Sequence, residues 1–255
     1  MPKNEIILKI KDINKTYKNK YNEILSVYNF YFNLKTCELV SIVGPSGCGK
    51  STILSILCGL EEASSGTIEM DDNLKFGYML QSDNLFEWRT IYKNCLLGLE
   101  IKKLKDKEHL DYVNKLLKTY GLEEFKNAYP SNLSGGMRQR VSLIRTLATK
   151  PDVLLLDEPF SALDQETRLA VSDDVYKIIK RENKSAIMVT HDIGEAVSMA
   201  DRVIVLSDRP SVIKNIYEIK IENRKNPIEN RQTKEFAKYY NLIWKDIGYH
   251  VQPGT

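Results

Sequence analysis

"GPSGCGKST", residues Gly44 to Thr52, lies between the apolar run "LVSIV" and the helical pattern "ILSILCGL". Glycines at 44, 47 and 49 let backbone N–H groups converge on one point without Cβ clashes. The N-terminus of the helix that follows adds partial positive charge there. A glycine-rich turn between a buried strand and a helix is therefore built to hold phosphate.

The spacing Gly44-x4-Gly49-Lys50-Ser51 satisfies the Walker A pattern in full. Gly44, Pro45, Ser46, Gly47, Cys48 and Gly49 form the cradle. Lys50 can reach the β- and γ-phosphates, and the Ser51 hydroxyl is placed for Mg²⁺, with Thr52 next to it. The acidic partner is "VLLLDE", where Asp157 emerges from a buried strand and can hold Mg²⁺ through water. Glu158, one step on, can face a nucleophilic water. Whether it accepts the proton or only orients the water stays open at this stage. ATP and Mg²⁺ are the expected cofactors.

Outward from the loop, strands and helices alternate. "EIILKIKDINKTY" is expected to be an edge strand ending near Tyr17, and "SVYNFYFNL" a second strand. "ELVSIVG" has the uniform apolar character of a buried parallel strand. A helix is expected from Lys50 to Leu60, with Gly59 as terminator. "SSGTIEMD" turns into a short strand, and "FGYMLQ" is a strand ending at Gln81. Helical patterns then fill residues 85–130, in "IYKNCLLGLEI" and "EHLDYVNKLLKTYGL"; Leu110, Val113 and Leu117 share a stripe that Gly121 stops. Ser134 is an N-cap for the helix "GGMRQRVSLIRTLATK". "DVLLLDE" is a central strand, "QETRLAVSDDVYKIIKREN" a long helix, and "SAIMVT" and "RVIVLS" further strands around a helix from about Ile193. Alternating strands and crossover helices predict a largely parallel sheet with a helical insertion. The last forty residues or so hold the amphipathic segment "TKEFAKYYNLIWKDI".

The 255 residues suit one large domain. A net charge of +3, from 37 basic and 34 acidic residues, is too mild to argue for nucleic acid. Cys37, Cys48, Cys58 and Cys95 make no C-x-x-C pair, which argues against a metal site and for a reducing compartment. The N-terminus lacks the apolar stretch of a signal peptide, and no window of 18 uncharged apolar residues predicts a membrane span. Docking on a membrane partner remains open.

"LSGGMRQR", Leu133 to Arg140, narrows the class. With the two acidic and glycine motifs it resembles the nucleotide-binding subunit of an ABC transporter. The resemblance runs from about Glu5 to Asp246. It implies an α/β P-loop NTPase with a RecA-like core, an N-terminal antiparallel β subdomain and an inserted helical subdomain. As a single ABC ATPase domain, the chain divides into residues 1–84 and 136–225 as core with β subdomain, 85–135 as helical subdomain and 226–255 as helical tail. Ser134, Gly135 and Gly136 match residues that meet the γ-phosphate bound by the opposite subunit. Tyr17 takes the place of the aromatic that stacks on adenine. Gln81 resembles the lid glutamine that senses Mg²⁺, and "SALD", Ser161 to Asp164, the loop that crosses the dimer interface. His191 resembles the switch histidine beside the γ-phosphate. Glu158, His191, Lys50 and Gln81 are the expected catalytic set, and Ser51, Gln81 and Asp157 the metal set.

The resemblance also implies partners: a second copy in a head-to-tail dimer, integral-membrane permease subunits, and indirectly an extracytoplasmic substrate-binding protein. It places the chain on the cytoplasmic face of the cell membrane. "NLFEWRTIYKNCLLGLEI" and "VIVLSDRPSVIKNIYEIKI" look like the nitrate/sulfonate/taurine importer ATPases, although Glu87 stands where that group often has proline. Importers of riboflavin or pyrimidine precursors share this style. A DNA-repair ABC ATPase would need long coiled coils, a translation factor two cassettes, and a nucleotide kinase would not need "LSGGM". Leu85, Phe86 and Trp88 are expected to be exposed, some of them lining a groove for a permease helix.

Overall fold

The apolar run before the glycine loop is strand β3 (Leu39–Val43), buried throughout. In the computed structural model, which describes residues 5–18 and 22–248, it sits inside a six-stranded sheet. The order is β5 (Phe76–Met79), β6 (Val153–Asp157), β7 (Ser185–Thr190), β3, β8 (Arg202–Leu206) and β9 (Ile213–Glu218). All pairings are parallel except that of β9, which runs antiparallel to β8. Strands buried on both faces have no polar side to show, which is why their sequences read as unbroken apolar runs. β9 has no such run. Half of it is exposed, so the sequence reading passes over it.

A second sheet packs β2 (Glu23–Lys35), β1 (Ile6–Lys18) and β4 (Ser65–Met70) in that order, antiparallel. The expectation that β1 is an edge strand is therefore corrected: it pairs on both sides and forms the centre. Alternation of Leu8 and Ile10 against Lys9 and Lys11 reports which face is buried, not how many neighbours the backbone has. β1 bulges at Asp12, where φ is +50°, and Gly66 of β4 crosses there. A Cβ on Gly66 would lie 2.5 Å from Asp12 O, so the crossing needs glycine.

Two cores result. One lies between the sheets and around α1 (Lys50–Leu57), joining Phe30 and Leu34 to Ile42, Ile53 and Leu54. The other joins the opposite face of the parallel sheet to α5 (Gly135–Leu147), α6 (Gln165–Arg181), α7 (Ile193–Met199) and the helical insertion. α1 stops at Leu57, short of the expected Leu60, and Gly59 follows with φ +75°.

The insertion holds α2 (Ile91–Cys95), α3 (Leu97–Ile101) and α4 (Lys107–Thr119). The pattern "IYKNCLLGLEI" breaks at Leu96 into two short helices instead of one. Val113 and Leu117 of α4 are buried, with Leu110 packed beside them. Buried Asn94 stitches the preceding loop: its side chain accepts from Phe86 N and donates to Phe86 O, Arg89 O and Thr90 O. Beyond β9 come α8 (Pro227–Asn230) and the expected amphipathic helix, α9 (Lys234–Ile247). No helix of the described residues is long and apolar enough to cross a membrane.

α7 begins just past the end of β7 and buries Glu195, only 3% exposed. Thr190 Oγ1 donates to its carboxyl at 2.6 Å, and Arg168 lies 3.8 Å away. Burial pushes the Glu195 carboxyl up to about 7 from 4.5. A carboxyl raised in the folded state stabilises fully below pH 4.5, and that contribution is lost as pH rises through about 7. Glu195→Gln should therefore melt near wild type at about pH 4.5 and above it at about pH 8. The gap is bounded at roughly 3 kcal/mol by the size of the shift. Thermal melts across that range test it, and a gap independent of pH would contradict the assignment.

Candidate nucleotide-phosphate site

The C-terminal ends of β3, β5, β6 and β7 open on one edge of the sheet, where open α/β sheets bind ligands. The glycine loop leaves β3 there. Gly47 has φ +74° and Gly49 φ +122°, backbone that a side chain would strain. Gly49 precedes α1 and offers no side-chain cap, so no capping side chain stands between the first turn and an anion. Lys50 is buried, and its ammonium donates to Gly44 O and Pro45 O at 2.9 Å each. An ammonium has three donors, which leaves one for a phosphate oxygen.

Ser51 Oγ donates to Asp157 Oδ1 at 2.9 Å, bringing the two expected metal groups together. Tyr78 OH donates to the other oxygen, Oδ2, at 3.0 Å. Burial holds the Asp157 carboxyl above the ordinary carboxylate range, against the lowering effect of those two donors. A hydroxyl and a carboxylate are hard oxygen donors of the kind Mg²⁺ takes. The uncapped N-terminus of α1 with Lys50 and this oxygen pair together fit Mg²⁺ with a triphosphate.

Glu158 follows on the same strand end but turns the chain with φ +44° while its N–H still pairs with Val189 O. His191 Nδ1 lies 3.1 Å from Glu158 Oε2. Gln81, two residues beyond β5, brings Nε2 to 3.3 Å from the same oxygen and 3.4 Å from Ser161 Oγ. Among the described residues its amide thus meets the second carboxylate and Ser161 rather than Ser51 or Asp157. Tyr17, at the end of β1 and partly exposed, sets its hydroxyl 3.3 Å from Thr52 Oγ1. Its ring borders the loop from the other sheet.

The remaining expected residues stand apart. Ser134 caps α5 by accepting from Met137 N, and Gly136 is buried beside Thr167 and Val171 of α6. Asp164 caps α6 by accepting from Thr167 N. Among the described residues no hydrogen bond joins Ser134, Gly135 or Gly136 to the glycine loop. The expectation that Leu85 is exposed is corrected: it is 7% exposed and joins the core, while Trp88 is 75% exposed with Phe86 stacked on it at 4.8 Å. A cavity of about 790 Å³ bordered by Ile6, Met70 and Asp152 lies elsewhere, away from the phosphate loop.

Tyr78 was missed by sequence reasoning. The parallel register sets Tyr78 beside Leu155, and alternation puts Leu155 and Asp157 on one face. The pairing of two strands 79 residues apart was the signal needed. Also missed was Arg138, which grips Asp83 with two nitrogens at 2.7 and 3.1 Å and Glu87 at 2.8 Å. It ties the helix of "LSGGM" to the segment after Gln81.

A phosphate loop, a buried carboxylate on its serine, and a second carboxylate held by glutamine and histidine define a P-loop nucleoside triphosphatase. Residues 27–161 match the family described as "ABC transporter". The "Uncharacterized ABC transporter ATP-binding protein YtlC" of Bacillus subtilis is 41% identical, over 94% of this chain and 95% of its own. The "Nitrate import ATP-binding protein NrtD" of Synechocystis is 39% identical, over 92% and 93%. A dimeric structure of MJ0796, "a Bacterial ABC Transporter Cassette", superposes with TM-score 0.71 at 32% identity, over 85% of this chain and 100% of that one. The chain belongs to the ABC transporter family, as an ATP-binding subunit.

Proposed function

We propose that the chain hydrolyses ATP to drive import of a small solute, such as a nitrate-, sulfonate- or taurine-type anion, through a separate permease. The carrying observation is the division of labour between two adjacent carboxylates: Asp157 on Ser51, and Glu158 beside His191 and Gln81. Lys50 and the loop N–H groups would bind phosphate, Ser51 and Asp157 would hold Mg²⁺ with Gln81 beside Glu158, and Tyr17 would stack on adenine. Bound Mg²⁺ lowers the charge cost of attack on the γ-phosphate. Glu158 orients the water, and His191 holds Glu158 and faces the γ-phosphate.

Ser134, Gly135, Gly136 and Asp164 act in trans, in a head-to-tail dimer that places the chain on the cytoplasmic face of the membrane. The division into residues 1–84 and 136–225, 85–135 and 226–255 belongs to the same reading. An extracytoplasmic binding protein delivers the solute. The name of the nitrate-import relative supports the anion class. Glu87, bound to Arg138, stands where that group often has proline, and import of a vitamin or pyrimidine precursor by the same ATPase mechanism is the second reading. Co-purification with the permease, followed by a thermal-shift screen of the binding protein against both solute classes, tests the proposal. Uptake that proceeds without ATP hydrolysis would overturn it.

The docking surface follows from Trp88. Asn94 and Arg138 fix its loop from behind, so the exposed ring is presented on a rigid base. Trp88→Ala should leave the free subunit's melting temperature nearly unchanged and weaken retention by the permease about thirtyfold, the size of a hot-spot aromatic. Pull-down in detergent beside a thermal melt reads both. A large fall in melting temperature with full retention would return Trp88 to a folding role.

A further inference from the structure

Residues 206–211 run along the outer side of the glycine loop and meet it at three points. A Cβ on Gly44 would lie 3.1 Å from Leu206 Cβ, and one on Gly49 would lie 3.3 Å from Ser211 Oγ. Between these, Arg209 Nη2 donates to Gly47 O at 2.6 Å. The segment is itself fastened. Val212 N donates to Ser207 Oγ at 3.0 Å, and that hydroxyl lies 2.8 Å from Asp208 O. Ser211 N donates to Ser26 O, and Tyr28 N to Ser211 O, each at 3.0 Å, anchoring it to β2.

The carbonyl of Gly47 and the N–H of Cys48 belong to one planar trans peptide and point in opposite directions. Arg209 draws the carbonyl outward, and Cys48 N accordingly faces into the loop, 3.3 Å from Pro45 O. On its inner side the peptide is held only by the long Cys48 N–H bond to Pro45 O; Gly47 adds no steric restraint, because glycine crosses φ space freely and its Cα has open space around it. A loop that must be ordered on binding loses affinity for its ligand.

We infer that Arg209 is a positioning residue that locks the Gly47–Cys48 peptide, so that the phosphate cradle is formed before the nucleotide arrives. The inference rests on the phosphate-site reading above. Its side chain is exposed and outside the cores, so the variants should fold.

Three measurements test it on the full chain. Amide exchange over residues 44–49 of the nucleotide-free protein should rise in Arg209→Ala. A fluorescent ADP analogue without Mg²⁺ should bind about tenfold more weakly, the worth of a charge-assisted hydrogen bond. KM for ATP should rise while kcat changes less than about twofold, since the lock acts before chemistry. Arg209→Lys, which keeps a charged donor, should restore part of each. Unchanged exchange with weaker, strongly salt-dependent binding would mean that Arg209 touches phosphate directly, and the lock is overturned. Unchanged exchange and unchanged binding overturn it as well. A wild-type protein that binds no nucleotide would instead sink the site reading, and the exchange comparison would still decide the lock.

Discussion

Glu158→Gln is expected to slow ATP hydrolysis by about 10²- to 10⁴-fold, the range for removing a positioned acid–base group, while leaving ATP affinity within a few fold. The carboxylate touches His191 and Gln81 and makes no bond to the phosphate loop. Its loss should therefore spare the cradle formed by Lys50 and the α1 N-terminus. The positive φ of Glu158 costs the fold about 1 kcal/mol or more, and the Val189 pairing holds it. Glutamine keeps that backbone and the side-chain shape but cannot accept a proton. With binding intact and turnover blocked, ATP and Mg²⁺ should accumulate a closed dimer, measurable by analytical ultracentrifugation. A variant that stays monomeric at micromolar concentration with saturating ATP, even with the permease present, would count against a nucleotide-closed dimer. Rapid turnover by that variant would remove Glu158 from the catalytic set.

How far such a site can be read from sequence depends on where its information sits along the chain. Gly44 to Thr52 is contiguous, and its glycines, lysine and serine are each required by one local turn. Asp157 and Glu158 are marked by the apolar run that ends at them, and Ser134 by the helix it caps. Tyr78, Arg138 and Arg209 are different. Each acts on a residue at least 51 positions away, through a register or a loop crossing that no local pattern encodes. The same limit explains β1, whose alternation shows a buried face but not a second neighbour. Leu85 fails in the opposite sense: it sits with Phe86 and Trp88 in a loop expected to be exposed, yet it turns into the core while Asn94 holds the Phe86 backbone beside it. Short helices α2 and α3 share one apolar pattern, and only their packing shows the break at Leu96.

Lys50→Ala and Ser134→Arg should separate binding from closure. The Lys50 ammonium is buried, bonded to two loop carbonyls, and keeps one donor for a phosphate oxygen. Its removal should weaken ATP binding about tenfold to a hundredfold, as expected for charge-assisted hydrogen bonds. Ser134 is exposed at the start of α5 and its hydroxyl accepts from Met137 N, so arginine there should cost the fold about 1 kcal/mol for the lost cap. It should leave ATP binding to the single subunit nearly intact. Hydrolysis should nevertheless fall about 10²-fold or more, because in the proposed dimer a bulky cationic side chain would replace the small hydroxyl and block the α5 N-terminus from the γ-phosphate of the facing subunit. Titration with a fluorescent ATP analogue reads the first effect, and turnover against subunit concentration reads the second. Wild type should show a steep concentration dependence that Ser134→Arg lacks. Equal loss of binding in the two variants would place Ser134 in the same half-site as Lys50, and the dimer would not be what completes the site.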